Sequence, residues 1–490
     1  MISQVVRISI ISNGSLLAVV WKNETNQNFK GEISVKKCLR LASMLLAGAL
    51  LLAVSGCNDA GQSEGSGSSG TAGGNSEKVT IRMITQHTRS DEGRAGVYEA
   101  IEEYAKSVSD KYILEHEAIQ GDDIKAKIKI DLAADNCPDI FYYWNAASDL
   151  SSMISADVLL PMSEYIAHPE ADLSWDQFKE TSIFEVEGER YGFAMESWAG
   201  GWLANKELFE QYNLEYPKTY DDIIELAKTF SANGITTVAT GSKGGNPSNW
   251  LIDDIYYQLE GAEEELANLA DTGVVATDTF LQALKYFEKM RDAGCFPADM
   301  ISNGDWAPNF SYYNEGKAAL IPVYGWQLSA MSDECYEWTE IIMPPKMTGD
   351  NVVDTTGHQL YQNGHGCMFI SKDRWNEGEA KQEAIVDAYN FYFSDKMFET
   401  RYREAGHGPT KIIEDFDYSG GLPIVLDLMK FNEDNNLTKG NGMHMFSIPN
   451  STVWADYQSN LDAFFAGSIS AEEFMAKVQE SMDNNYNNKK

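Results

Sequence analysis

Apolar and polar residues alternate from Val79 to Ile84, the period-two pattern of a strand with one buried face. Gln86 and His87 fall where that strand meets its following loop. The spacing changes over residues 93–107, where Val97, Ile101, Tyr104 and Ala105 share one face and predict a helix. Ile124, Ile128 and Leu132 make a second helical stripe, although IKIDL within it also reads as a strand. Pro138 to Tyr143 is a short buried strand, with Trp144 and Asn145 at its end. Leu160-Pro161 opens a short helix, and residues 188–193 read as a turn entering a strand. Thr219 caps a helix with Ile223, Leu226, Ala227 and Phe230 inward. Asp278 caps another, with Leu281, Leu284, Phe287 and Met290 inward and Gly294 as its stop. Ser470 and Glu473 form a capping box ahead of Phe474, Val478 and Met482. Strand and helix signals alternating in this way predict an α/β fold. In open α/β sheets solutes collect at the carboxyl ends of strands, which sets Gln86, His87, Trp144 and Asn145 on one rim. The stretch 240–250, TGSKGGNPSNW, is too rich in glycine and asparagine to be core. Gly200-Gly201, between Trp198 and Trp202, is a candidate hinge because glycine tolerates unusual backbone angles. No internal repeat is visible.

Ahead of residue 78 the pattern is of another kind. Lys36, Lys37 and Arg40 lead into an apolar run from Leu41 to Val54, and Ser55 and Gly56 then precede Cys57. At about fourteen residues the run is shorter than the ~20 that a membrane-spanning helix needs. Its order of charged, apolar and small residues is that of a secretory signal. Val-Ser-Gly-Cys resembles the lipobox of bacterial lipoproteins. That resemblance implies acylation of Cys57 and a body held by lipid on the extracellular face of the cell membrane. Met1 to Ser34 stand farther ahead of the basic cluster than a signal allows, so translation is expected to begin near Val35. Residues 58–77, rich in Gly and Ser, are expected to be a flexible tether.

Composition narrows the partners. The chain has 38 Lys+Arg against 74 Asp+Glu, a formal net charge of −36. Nucleic acid and anionic lipid surfaces call for basic patches, so neither is an expected partner. Aromatics are abundant, with 11 Trp and 24 Tyr, and point to a large core or to flat stacking surfaces. Cys137, Cys295, Cys335 and Cys367 lack paired CxxC spacing, so a zinc site is not expected. They are expected to be four buried thiols without a disulfide framework, since a core of this size needs no staple. The 7 histidines show no HxxxH or HExxH pairing, so no metal is expected, nor any cofactor.

Several pieces match one family in order. They are PDIF at 138–141, LLPMSEYI at 159–166, GERYGFAMES at 188–197, LANKELFEQYNL at 203–214 and PKTYDDI at 217–223. FSYYNEGKAALIPVYGW at 310–326, HGPT at 407–410 and GSISAEEFMAKVQE at 467–480 complete the set. Through them the chain resembles the extracellular solute-binding proteins of ABC importers, in the group that includes the maltose/maltodextrin-binding proteins. The resemblance implies a two-lobed periplasmic-binding-protein-like fold, with a ligand cleft between lobes joined by several hinge crossings. Lobe 1 would comprise 78–195 with 368–415, and lobe 2 would comprise 196–367 with 416–490.

A sugar offers flat C–H faces and a rim of hydroxyls, which suits aromatic plates and planar polar groups. By motif position Trp144, Trp326 and Trp454 resemble the stacking tryptophans of that family. Trp250 stands where a tyrosine is used, and Glu196 matches an acidic hydroxyl acceptor. Weaker candidates are His87, His365 with its neighbour Gly364, and Asp305-Trp306, placed in a loop before Phe310. The segment Trp198-Ala-Gly-Gly-Trp202 departs from the maltodextrin pattern and leaves the sugar class open. The function implied is capture of a carbohydrate, an oligosaccharide, by a monomer that hands it to ABC permease transmembrane subunits. A secreted glycoside hydrolase is the competing reading, but it needs two carboxylates at set spacing and no pair stands out. A receptor for a peptide or another solute is a further alternative.

Overall fold

The computed structural model describes three strands in the stretch Met1–Asn75, and residues 78–489 except 91–94, 122, 180–184, 187, 302–303, 305, 361–362 and 441–447. The strands Ile8–Asn13, Leu16–Lys22 and Asn28–Ile33 form an antiparallel sheet of their own. The signal-like run, Cys57 and the Gly/Ser stretch lie outside the described residues. Everything below concerns the unit Ser76–Lys490.

Nine strands make two sheets. In chain order they are β1 (Thr80–Thr85), β2 (Ile113–Ala118), β3 (Ile140–Tyr143), β4 (Phe193–Trp198), β5 (Gly200–Asn205), β6 (Thr236–Val238), β7 (Ala318–Tyr324), β8 (Thr339–Ile342) and β9 (Asn363–Ile370). The first sheet has the order β2-β1-β3-β9-β4. Its three N-terminal strands are parallel, whereas β9 runs antiparallel to both β3 and β4. The second has the order β6-β7-β5-β8, with β6 and β7 parallel and the remaining pairs antiparallel. The expectation of α/β layers therefore holds.

Each sheet anchors a core. Around the first, Ile81, Met83, Phe141, Phe193 and Phe369 pack with Ile101, Ile128 and Tyr389 from the flanking helices. Tyr389 is fully buried and satisfied there, donating to the Met368 carbonyl at 2.6 Å and accepting from the Phe193 N–H at 3.1 Å. The second sheet is covered on both sides, as side-chain alternation requires. Trp202 packs with Tyr220, Phe230, Phe287 and Phe464, while the next residue, Leu203, packs with Val323, Trp338 and Leu428. Trp202 is completely buried, 6.1 Å edge-on from Tyr220, and belongs to this core and not to a stacking surface. Removing its indole would cost about 3–5 kcal/mol.

The helices follow the apolar stripes, with local corrections. Among them are α1 (Ala95–Ser107), α2 (Asp123–Ala133), α3 (Ala147–Ser155), α4 (Tyr220–Ala232), α5 (Ser248–Tyr256), α6 (Asp278–Asp292), α7 (Trp306–Asn314), α8 (Asp395–Ala405), α9 (Ser451–Phe465) and α10 (Ala471–Asn485). The IKIDL segment is helical, in α2. Thr219 and Ser470 cap as expected, but α6 is capped by Thr277, whose hydroxyl accepts from the Phe280 N–H at 3.1 Å. Phe280 then takes the buried position, and Leu281 is only partly buried. Trp306 opens a helix and is not a loop residue. Of the four thiols, Cys295, Cys335 and Cys367 are buried and Cys137 is half-buried; all four are free. Among the described residues no helix is long and apolar enough to cross a membrane.

Candidate functional site

The two sheets are joined where β4 ends at Trp198 and β5 begins at Gly200, with only Ala199 between. Three other segments run beside this step. In β9, Asn363, Gly364 and His365 pair with Trp198, Ser197 and Glu196. On the other side, Ser197 bridges Gly408 and donates its N–H to that carbonyl at 2.9 Å. The Gly325 N–H donates to the Ala199 carbonyl, also at 2.9 Å. The glycine pair is explained by crowding and not by unusual backbone angles, since neither residue has a left-handed φ. A Cβ on Gly200 would lie 2.6 Å from Leu360 Cβ, and one on Gly201 would lie 2.5 Å from Leu428 Cδ1. Leu360, in a bend, and Leu428, on a helix, press here closer than any Cβ would permit.

A buried polar group sits at this junction. Because β1 and β3 are parallel neighbours, Gln86 and His87 leave the sheet at the same end as Trp144 and Asn145. Glu196 is 4% exposed. Its Oε1 accepts from Gln86 Nε2 at 3.2 Å, and its Oε2 pairs with Nδ1 of His407. His87 completes the group, one ligand atom from each of His87, Glu196 and His407 lying within 4.8 Å of the others. Fully buried Arg401 supplies a balancing charge. It donates Nη1 to the Tyr392 carbonyl at 3.0 Å and lies 4.5 Å over the Phe398 ring. Burial lowers its pKa, while the Glu196 charge acts in the opposite direction. The Cys367 thiol is pushed far up, first by burial and then by Glu196. His407 and Arg401 were not among the sequence candidates. His407 stood inside the HGPT motif, which served only as a landmark, and nothing in the pattern around Arg401 marks it.

The aromatic candidates divide into groups. Trp250, on α5, meets Trp306 at 4.8 Å and Tyr324 at 4.3 Å, both edge-on. Trp306 in turn meets Trp326 at 5.0 Å. Three indoles far apart in sequence thus form one continuous group. Trp250 is buried at its base, and Trp306 and Trp326 are half-buried and reach solvent. Trp144 is also half-buried; Tyr142 meets its ring at 5.1 Å and Lys125 Nζ lies 4.6 Å above it. Trp454 stacks on Tyr457 at 5.2 Å. Asp305 lies outside the described residues, and Trp198, Gly364 and His365 are described in backbone only.

The stretch 240–250 is not a surface loop. Thr240, Ser242, Ser248, Asn249 and Trp250 are all buried. Its polar backbone is satisfied by one carboxylate on α9. Asp462 accepts from the N–H groups of Gly244 and Gly245 at 2.8 Å each and from the Ser242 hydroxyl at 2.5 Å. That clasp fixes the start of α5 and hence Trp250. Behind it, Asp253 and Asp254 are buried on the same helix, and Tyr220 donates its hydroxyl to Asp254. An open concavity of about 340 Å³ beside α4, lined by Leu214, Tyr216, Asp222 and Glu225, takes in none of these rings.

Two sheets with separate cores, joined through adjacent chain crossings that carry a buried polar group, define a two-lobed solute-binding protein. The chain belongs to the bacterial extracellular solute-binding protein family, whose model matches residues 96–396. This is a family of binding proteins, and the chain is not an enzyme. Similar solved structures share the fold. One, from a study of xylan utilization by the thermophilic bacterium Caldanaerobius polysaccharolyticus, has a TM-score of 0.69 at 22% identity, covering 82% of this chain and 99% of its own. A chitin oligosaccharide binding protein also has a TM-score of 0.69, at 18% identity, covering 84% of this chain and 100% of its own. The maltose/maltodextrin-binding domain MalE from Bdellovibrio bacteriovorus, bound to maltotriose, has a TM-score of 0.60 at 15% identity, covering 83% and 99%. No curated protein sequence matches significantly.

Proposed function

We propose that this protein captures an oligosaccharide and delivers it to the transmembrane subunits of an ABC import permease. The observation that carries the reading is the Trp250–Trp306–Trp326 group, in which half-buried indoles stand on a buried one. Such a surface stacks against sugar C–H faces, and water is released from both. Trp144, across the junction on the first sheet, is offered as the opposing plate. The lobes would then be 78–195 with 368–415 and 196–367 with 416–490, closing on the solute. Closure that favours the bound form is a shift between two conformations, which a permease could read. The solutes named for similar structures include chitin oligosaccharide and maltotriose, and they support this class without choosing within it. Acylation of Cys57 would keep the body beside the permease.

The test is a thermal-shift and calorimetric screen of the full chain against xylo-, chito- and malto-oligosaccharides. A ligand at a hundred times its Kd stabilises by about 2.7 kcal/mol, a readily measured shift. Trp306→Ala and Trp326→Ala should each weaken the hit by roughly tenfold to a hundredfold, as expected for anchoring aromatics. No shift with any oligosaccharide, or full affinity in both variants, overturns the proposal.

A further inference from the structure

We propose that His87, Glu196 and His407 form a binding site for a divalent transition-metal ion of the zinc type, set into the junction between the two sheets. The donors come from three places: the loop leaving β1, the crossing end of β4, and the segment after α8. Two imidazoles and a carboxylate are the donor set that zinc takes, with a fourth position left to water or a solute oxygen. All three residues are buried, with exposures of 0%, 4% and 1%. One ligand atom from each lies within 4.8 Å of the others. A tetrahedral ion with bonds of about 2.0–2.1 Å places its donors roughly 3.4 Å apart, so the Glu196–His407 contact must open to admit it and no pair has to close by more than about 1.4 Å.

The surroundings fit an ion. Glu196 Oε2 already meets His407 Nδ1, and a metal would take the place of the proton between them. Gln86 holds Oε1 through its amide, which orients the carboxylate so that the other oxygen faces the histidines. The acidic chain, at −36, raises the local concentration of cations. Fully buried Arg401, which feels the Glu196 charge, opposes a cation here and works against tight binding. The consequence would be mechanical. Glu196 and His407 lie on two segments that meet where Ser197 bridges Gly408, so an ion held by both would tie those segments together and stiffen the step between β4 and β5. The donors are spread from residue 87 to residue 407, which is why no short histidine spacing in the sequence announces them.

The experiment uses the full chain, stripped with a chelator, exchanged into metal-free buffer and incubated long enough for an ion to reach a buried site. Zinc chloride is then titrated by calorimetry, and cobalt chloride by visible absorption. The expected result is one saturable zinc site of micromolar affinity or tighter, a higher Tm with zinc, and the visible bands of four-coordinate cobalt. His87→Gln and His407→Gln should each weaken that site at least tenfold and abolish the cobalt bands. Each variant's Tm without metal shows that it folds, and the pair guards against failure of either one. Absence of a saturable site in the unaltered chain, or equal zinc affinity in both variants, overturns the proposal whatever the sugar screen returns.

Discussion

Gly366→Ala tests how tightly the β9 crossing is built. Gly366 follows His365, has φ of +70°, and faces the ring of Tyr142. A Cβ there would lie 2.4 Å from Tyr142 Cε2 and Oη and 2.7 Å from Cζ. Two costs add. An L-residue in the left-handed region loses roughly 1–2 kcal/mol, offset by about 0.4–1 kcal/mol because alanine has less freedom to lose from the unfolded chain. Tyr142 is only 1% exposed, so relieving the overlap means repacking the first core, typically about 1–3 kcal/mol. The expected loss is about 2–4 kcal/mol. Gly234→Ala is the matched control, since Gly234 has φ of +73° with nothing within 4 Å of the added Cβ. It carries the backbone cost alone, about 1 kcal/mol or less. Equilibrium urea unfolding followed by tryptophan fluorescence and by circular dichroism gives both values, and coincident curves verify a single transition. Because Tyr142 edges onto Trp144, the variant should also weaken solute binding. Equal stability of the two variants within about 0.5 kcal/mol refutes the steric argument.

Asp462→Ala should destabilise by about 2–4 kcal/mol, because two backbone N–H groups and the Ser242 hydroxyl lose a charged acceptor in a buried stretch. Urea unfolding measures it, and a loss below about 0.5 kcal/mol would show that water replaces the carboxylate. The body's thiols should be inert in the native protein at pH 8. Burial pushes Cys295 and Cys335 up to about 12 and Cys137 up to about 11, leaving almost no thiolate to attack. Peptide mapping after iodoacetamide treatment should find these positions alkylated only once the chain is unfolded; labelling within minutes in the folded state would contradict the packing.

Local pattern carried much of the fold into view. The stripe of α4 and the capping box of α10 have their cause within a few residues, so the sequence displays it. The buried stretch 240–250 misleads for the opposite reason. Its glycines look solvent-bound until Asp462, far along the chain, is seen to accept from the N–H groups of Gly244 and Gly245. Trp202 shows the same limit. An indole next to a glycine pair could stack on a solute or fill a core, and only the pairing of β5 between β7 and β8 puts it inside. The histidine–carboxylate group was half visible. His87 and Glu196 were marked by strand ends and motif position, but their meeting with His407 is a property of three-dimensional closure.

The placement of β9 bears on how the molecule comes into being. Cys367 to Ile370 fill the gap between β3 and β4, so the first sheet lacks an inner member until the chain has emerged well past residue 370. Pairings between remote segments form slowly, because the intervening chain must be brought round first. A nascent polypeptide of this design stays unfinished, with open strand edges, through most of its synthesis. For a member of a family that works outside the cell, that delay lengthens the time over which the chain can still be threaded.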